Sequence, residues 1–322
     1  MCAGRDEGRR HMERCHTTRP ADAAAHAALR SAVLHDITKP SSKPVIFVIH
    51  LLGSYGLLVA VLGADPLSGQ VVSRGVYLLA FALYMVYGVC ITAGYHRLFA
   101  HRAYHATWPV KWSLLFLACG AMQASAIRWA WQHRVHHRHS DTDADPHNRR
   151  RGFWHCHIGY LFHKHADFVE AVRSEAVDDL LGDAAVRLQF RLWLPTGLLL
   201  CLGVPAAAGH FWLGGRGWAS VLVAGFARLL LSLHATWAVN SMTHAATPCP
   251  ADKPYGSRGL AVEHAFVSLI AWGEGWHDWH HKYPHDYAAA AKPWWIQVNP
   301  TLALLDALAA LRLVSVTKRR PR

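Results

Sequence analysis

The stretch that decides the reading is His133-Arg134-Val135-His136-His137. On a helix turning about 100° per residue, positions i, i+3 and i+4 fall within roughly a 100° arc, so three imidazoles face one way. The same spacing returns far downstream as His277-Asp278-Trp279-His280-His281. Two such faces can hold a pair of metal ions.

Outward from these motifs the chain is apolar. Of its 322 residues, 52% are hydrophobic, and four stretches approach the roughly 20 residues that cross a bilayer. They are expected at about 44–64, 75–95, 192–213 and 217–239, as two hairpins. A soluble fold would have to bury all four. The net charge of +12 invites a nucleic-acid partner, but the cations follow topology instead. Of 33 Lys and Arg, 30 lie in residues 1–43, in 95–191 or after Val239, and the rest are Arg74, Arg216 and Arg228. The connections 65–74 and 214–216 are therefore cation-poor, which predicts an integral multi-pass membrane protein with both termini and the central segment cytoplasmic. No nucleic-acid partner is expected.

The seven cysteines are scattered without a CxxC pair, which excludes a zinc ribbon or a disulfide framework and fits a reducing compartment. Arg5, Asp6, Glu7, Arg9, Arg10, Glu13 and Arg14 leave no apolar core for a signal peptide. Residues 1–43 read as a mobile arm with a short helix near 21–34, residues 44–310 as the membrane and cap domain, and 311–322 as a basic tail. Residues 112–126 are apolar but too short to span, and they separate two motifs that share one membrane side. An interfacial or re-entrant helix is expected there.

A third motif is His96-Arg97-Leu98-Phe99-Ala100-His101. A pair at i, i+5 lies about 140° apart on an ideal helix, so both reach one point only if the helix ends or distorts between them. Thr236, Asn240 and His244 form a stripe at i, i+4, i+8. The collected ligands are His96, His101, His133, His136, His137, His244, His277, His280 and His281, with Asn240 beside them. Nine imidazoles exceed one ion's coordination sphere, so two ions are implied, and neutral imidazole suits Fe, Zn, Cu or Ni. His11, His16, His26, His35, His105, His210 and His264 read as solvated or internally satisfied side chains. His155, His157, His163 and His165 have no partner cluster, His139, His147 and His285 are close enough to support the ligands, and His234 reads as a packing or pocket residue. Arg228, inside a span, should face protein, a cavity or a carbonyl. Arg149-Arg150-Arg151 is either a topology signal or a contact for an anionic head group.

These motifs resemble those of the membrane fatty-acid desaturases, specifically the acyl-CoA (stearoyl-CoA type, delta-9) branch. The HxxxxH box, the two HxxHH boxes and Asn240-Ser241-Met242-Thr243-His244 carry the resemblance, which runs from about Pro44 to Leu305. It implies an all-α integral membrane fold, with four transmembrane helices in two hairpins and a cytosolic helical cap holding a non-haem diiron site. The nine histidines would bind two iron ions, with Asn240 linked through water. The implied reaction is O2-dependent introduction of a cis double bond into a saturated acyl chain, at the delta-9 position of an acyl-CoA. Trp129 and Thr236 match positions that shape the bend of the substrate tunnel, and Asn148, Arg150 and Arg151 match the segment near the head group. Trp131-Gln132 stands where the family carries an acidic and basic pair, so the carrier remains open among CoA, acyl carrier protein and phospholipid. Asp286-Tyr287-Ala288-Ala289-Ala290 replaces a segment that usually holds an Arg and a Gly. A separate electron donor is implied, either ferredoxin, rubredoxin or a cytochrome b5-type protein with its reductase. The alternatives are a diiron lipid or alkane hydroxylase and a non-enzymatic membrane metal binder or transporter. Against the last, no file of His, Asp or Glu runs through the spans.

Overall fold

The computed structural model describes residues 20–214, 217–245, 247 and 252–316. The expectations for residues 1–19, with His11, His16, Cys2 and Cys15, and for Arg216, Cys249 and the tail from 317 lie outside the described residues.

Four helices are long and apolar enough to cross a membrane: α2 (Lys43–Leu62), α3 (Arg74–Ala100), α9 (Ala184–Phe211) and α10 (Gly217–Met242). They match the four expected spans in order, but α3, α9 and α10 run beyond the expected limits. Hydropathy marks the lipid-facing part, whereas these helices continue into the cap, where protein contacts replace lipid. Asp183 starts α9 early by accepting hydrogen bonds from Ala185 N at 2.9 Å and Val186 N at 3.4 Å, which satisfies donors that a helix start leaves open. The α2–α3 turn is held by Asp65, which is fully buried and accepts the hydroxyls of Tyr55 and Ser68.

The segment expected to be interfacial or re-entrant is α4 (Trp108–Ala118), extended by a turn to Ala121 and followed by α5 (Ala126–His139), with an 84° bend between them. Met122 and Ala124 take φ of 54° and 68° at this corner. Ser125 caps α5 by accepting from Arg128 N at 3.4 Å. The break turns the apolar helix away and starts a new helix that carries His133, His136 and His137.

The remaining cap consists of α1 (Pro20–Thr38), α6 (Phe153–His157), α7 (Ala166–Ser174), α8 (Asp178–Gly182), α11 (Ala265–Ile270), α12 (His277–Lys282) and α13 (Pro300–Ala310). Strand β1 (Tyr104–Ala106) pairs antiparallel with β2 (Val314–Val316), with Tyr104 opposite Val316. Helix α1 is longer than the expected 21–34, and it is docked: Val33 and Ile37, one turn apart, are fully buried in the main core. Arg30 lies 5.0 Å over the Trp131 ring and donates to Arg173 O at 3.0 Å. From Pro20 onward the presumed free arm is thus part of the cap. Trp131 is itself fully buried, with its indole N–H on Val172 O at 2.9 Å. The position that departs from the family pattern is therefore core packing.

Arg228, buried within α10, donates to Ala224 O at 3.2 Å and Gly120 O at 3.1 Å and sits 5.2 Å from the Tyr87 ring. Its charge faces carbonyls and an aromatic face, as a cation inside a span requires.

Candidate metal centre

The ligand candidates come from four separated stretches, and the backbone solves the i, i+5 problem of the first. From Ile91 to Ala100, α3 is a π-helix, and His101 N donates to His96 O at 3.0 Å. The wider turn brings positions five apart onto one face. His96 and His101 ring centroids are consequently 4.7 Å apart. The distortion demanded by the spacing is present.

The histidines collect into two adjoining groups, each with its ligand atoms within 4.8 Å of one another. One contains His96, His101, His133, His137 and His280; the other contains His136, His244, His277 and His281. Within them, Nε2 atoms approach at 3.0 Å (His96 to His280), 2.8 Å (His101 to His133), 2.9 Å (His280 to His137) and 3.0 Å (His281 to His277). Two nitrogens at right angles, each about 2.05 Å from one ion, lie about 2.9 Å apart. Burial, followed by the neighbouring imidazoles, holds His101, His133, His137, His277, His280 and His281 well below the usual imidazole range. They are neutral and can ligate.

Carboxylates orient the rings. His96 Nδ1 faces Glu274 at 2.8 Å, His136 Nδ1 faces Asp145 at 2.9 Å, and His244 Nδ1 faces Asp141 at 3.1 Å. A proton held on Nδ1 leaves a lone pair on Nε2 for metal. His244 Nε2 is buried and has no hydrogen-bond partner, a cost that an ion would remove. Burial alone would raise the Glu274 carboxyl, but His96 and Arg97 bring it down to about 2. Burial alone would lower His136, but Asp145 outweighs it and raises the imidazole above its ordinary value. The donor set fits two ions held by nitrogen.

Several supporting residues carried no signal in the ligand spacing. Arg97, almost fully buried, donates to Tyr287 O at 3.0 Å, Ala288 O at 3.1 Å and Glu274 at 2.7 Å. The segment that departs from the family pattern is thus pinned to the first histidine box through backbone carbonyls. Arg134, inside the second box, donates to Ala100 O at 3.1 Å and Phe99 O at 2.8 Å and pairs with Asp179. It closes the end of the π-helix onto α5. Asp278 accepts from the backbone N–H groups of Tyr255, Gly256 and Ser257.

His147 joins His136 and Asp145 in a third group, and burial with the charge of His136 brings it down to about 3. His285 Nδ1 lies 2.8 Å from His101 O. His157 contacts Ser241 Oγ at 2.8 Å and His234 Nδ1 at 3.0 Å. Neither His157 nor His155, His163 or His165 enters a metal-holding group among the described residues. His234 packs against Trp237, with centroids 5.0 Å apart. His264 accepts from Val267 N at 3.4 Å as a helix cap.

A cavity opens beside the histidines, and Trp129, Thr236 and Asn240 line it together with His96, His133, His136 and His277. Trp129 stacks on His133 at 4.8 Å. Its indole N–H donates to Gln123 Oε1 at 3.1 Å, and Gln123 Nε2 donates to Thr236 Oγ1 at 2.9 Å. Gln123 was not singled out from sequence; a lone amide at the break between two apolar helices was the available signal. Asn148, Arg150 and Arg151 do not line this cavity. Asn148 is buried and accepts from Arg150 N at 3.0 Å while donating to Asp143 at 3.2 Å. Arg151 pairs with Asp143 at 2.7 Å, and Arg149 donates to Ser241 O at 3.2 Å. The amide of Asn148 serves its own turn, because an Asn at such a position closes the backbone locally.

Fold and site together define a mostly helical protein with membrane-length spans and a histidine cluster able to hold metal. The fatty acid desaturase model matches residues 76–298, and the chain belongs to that family. It is 38% identical over 276 residues to stearoyl-CoA desaturase 5 of Bos taurus, covering 84% of this chain and 77% of the relative. It is 40% identical over 243 residues to stearoyl-CoA desaturase of Sus scrofa, covering 75% and 66% respectively. The Delta(9)-fatty-acid desaturase fat-7 of Caenorhabditis elegans is 39% identical over 236 residues, covering 73% and 68%.

Proposed function

We propose that this protein is an O2-dependent acyl-CoA desaturase that introduces a cis double bond at the delta-9 position of a saturated chain. The supporting observation is the juxtaposition of two all-histidine groups with a cavity walled by Trp129 and Thr236. Two iron ions, held by the nine histidines with Asn240 through water, would supply the oxidising power to remove hydrogen from unactivated methylenes. Two electrons from a separate donor and two from the substrate reduce O2 to two waters. Ferredoxin, rubredoxin and a cytochrome b5-type protein with its reductase are the donor classes that fit.

The chain's own residues set the geometry. Trp129, fixed by Gln123 and by stacking on His133, bends the path past the histidines, so that only one methylene pair comes within reach. The buried walls exclude water from the oxidant. Arg149, Arg150 and Arg151 lie on the cationic side that the positive-inside rule assigns to the cytoplasm, together with the termini and the metal centre. In this reading Arg150, which is exposed, meets the anionic head group, and Asn148 shapes the loop that presents it.

Fatty acids from aerobic cells expressing the wild type or His137→Ala, derivatised and analysed by mass spectrometry, test the reading. A new monounsaturated acid in the wild type alone is expected. Hydroxylated lipid would replace this reading with a hydroxylase, and retained activity with normal iron in the variant would refute the ligand assignment.

A further inference from the structure

Two histidines outside the metal centre meet across one turn of the cap. His155 lies in α6, and His165 stands immediately before α7. Both residues are only half-buried, yet the Nε2 atom of each is shut off from solvent and has no hydrogen-bond partner. An unpaired buried nitrogen is costly, and two in one place call for a shared explanation.

The ring centroids are 5.5 Å apart, with planes inclined at 53°. An imidazole centroid sits about 1.2 Å behind its ligating nitrogen, and a zinc–nitrogen bond is about 2.05 Å long. Two rings on one ion therefore have centroids about 5.3 Å apart at the tetrahedral angle and about 5.6 Å apart at 120°. The observed spacing falls between these values.

Burial, His165 and Arg151 hold His155 below the ordinary imidazole value, and burial, Arg151 and His163 do the same for His165. Both rings are neutral at pH 7 and have a lone pair to give. The surroundings accept a cation, because Arg151 is paired with Asp143 at 2.7 Å, and both Asp143 and Asp167 act on His165. His163 is exposed, and its charge reaches both rings. A turn of its side chain would supply the third nitrogen that the pair lacks to match the groups of the main centre. No sulfur is on offer: Cys156 donates its thiol to His147 O and Asn240 O at 2.8 Å each, and burial pushes that thiol up. Nitrogen donors alone select zinc, copper or nickel over soft or oxygen-seeking ions.

We infer that His155 and His165, completed by His163, form a further metal site for one divalent ion of the zinc class, separate from the two histidine groups of the main centre. Helix α6 spans only five residues and is too short to hold itself. An ion on His155 and His165 closes that stretch into one loop and ties α6 to the start of α7, directly after the Arg149–Arg151 turn.

Zinc titrated into the purified, iron-loaded full chain tests the assignment, with bound zinc and retained iron both counted by elemental analysis after desalting. Wild type should hold one zinc per chain while keeping all of its iron, and zinc should raise its thermal midpoint. Loss of a residue that merely supports a ligand costs about 10- to 100-fold in metal affinity, so His155→Ala and His165→Ala should each weaken zinc binding by at least about tenfold. His105→Ala, at an exposed histidine of β1, should leave it unchanged. Cu2+ bound to wild type in place of zinc should show splitting from at least two imidazole nitrogens in its electron paramagnetic resonance spectrum, a measurement that remains if neither variant folds. Zinc taken up only as iron is lost, zinc binding that survives either substitution in a folded variant, equal loss in His105→Ala, or a copper spectrum with fewer than two nitrogens overturns the inference.

Discussion

Gln123 joins two walls of one cavity by a single side chain, since its amide oxygen accepts from Trp129 and its amide nitrogen donates to Thr236. Gln123→Ala should leave the Trp129 indole N–H unpaired and Thr236 with only its bond to Ser232 O, cut product formation by about tenfold or more, and spread the double bond over neighbouring positions, because a small misplacement near the chemistry is expensive. Product analysis with parallel iron measurement checks this, and iron content should not change. Glu263 offers a different test. Burial, with a smaller push from Asp278, lifts its carboxyl to about 7, while it accepts from Trp279 N at 2.9 Å. Its folded-state value exceeds its unfolded value, so the folded protein holds more protons between roughly pH 4.5 and 7. Stability should fall as pH rises through that window, by at most about 1.4 kcal/mol per unit. Glu263→Gln should flatten that slope in denaturation curves taken from pH 5 to pH 8. At this scale the grouping of the histidines was legible, because i, i+3, i+4 on a helix is itself a geometric statement. Glu274, Asp141, Asp145 and Arg134 were not. Their roles exist only through contacts across the fold, and nothing local distinguishes them from solvated charges.

Between elements, α2 packs tightly on α10 at Gly56, where a Cβ would stand 2.2 Å from Leu222 O. The obstacle is backbone, so the helices would have to separate. Gly56→Ala should cost about 1–3 kcal/mol. Gly182→Ala, at the end of α8 with nothing within 4 Å of its Cβ, should change stability by no more than about 0.5 kcal/mol. Thermal denaturation of both variants in one detergent makes the comparison. The four spans were readable from apolar length alone. The docking of α1 was not read, although Leu29, Val33 and Ile37 stand at four-residue steps with Leu34 beside them, a short apolar stripe on a helix otherwise rich in alanine. The distorted turn of α3 stands between these cases. The spacing of His96 and His101 required some break in the helix, but only the fold shows that a π-helix provides it.

For the whole molecule, charge asymmetry and the position of the cap give one expectation. In intact cells, a membrane-impermeant thiol reagent should label Leu67→Cys, in the exposed α2–α3 turn. It should label Glu170→Cys, on the exposed face of α7, only after the membrane is opened. The described native cysteines are buried and should give little background. The reverse pattern would invert the proposed topology. The β1–β2 ribbon bears on how such a molecule is made. Strand β1 begins three residues after His101, and its partner is formed by Val314–Val316, beyond every metal-ligand candidate in the chain. The first histidine box therefore gains its clamp only after all four spans and all nine histidines have been synthesised. A ribosome still at work carries an incomplete and unclamped cage. A metal pair held by all nine histidines could therefore assemble only after translation has passed His281.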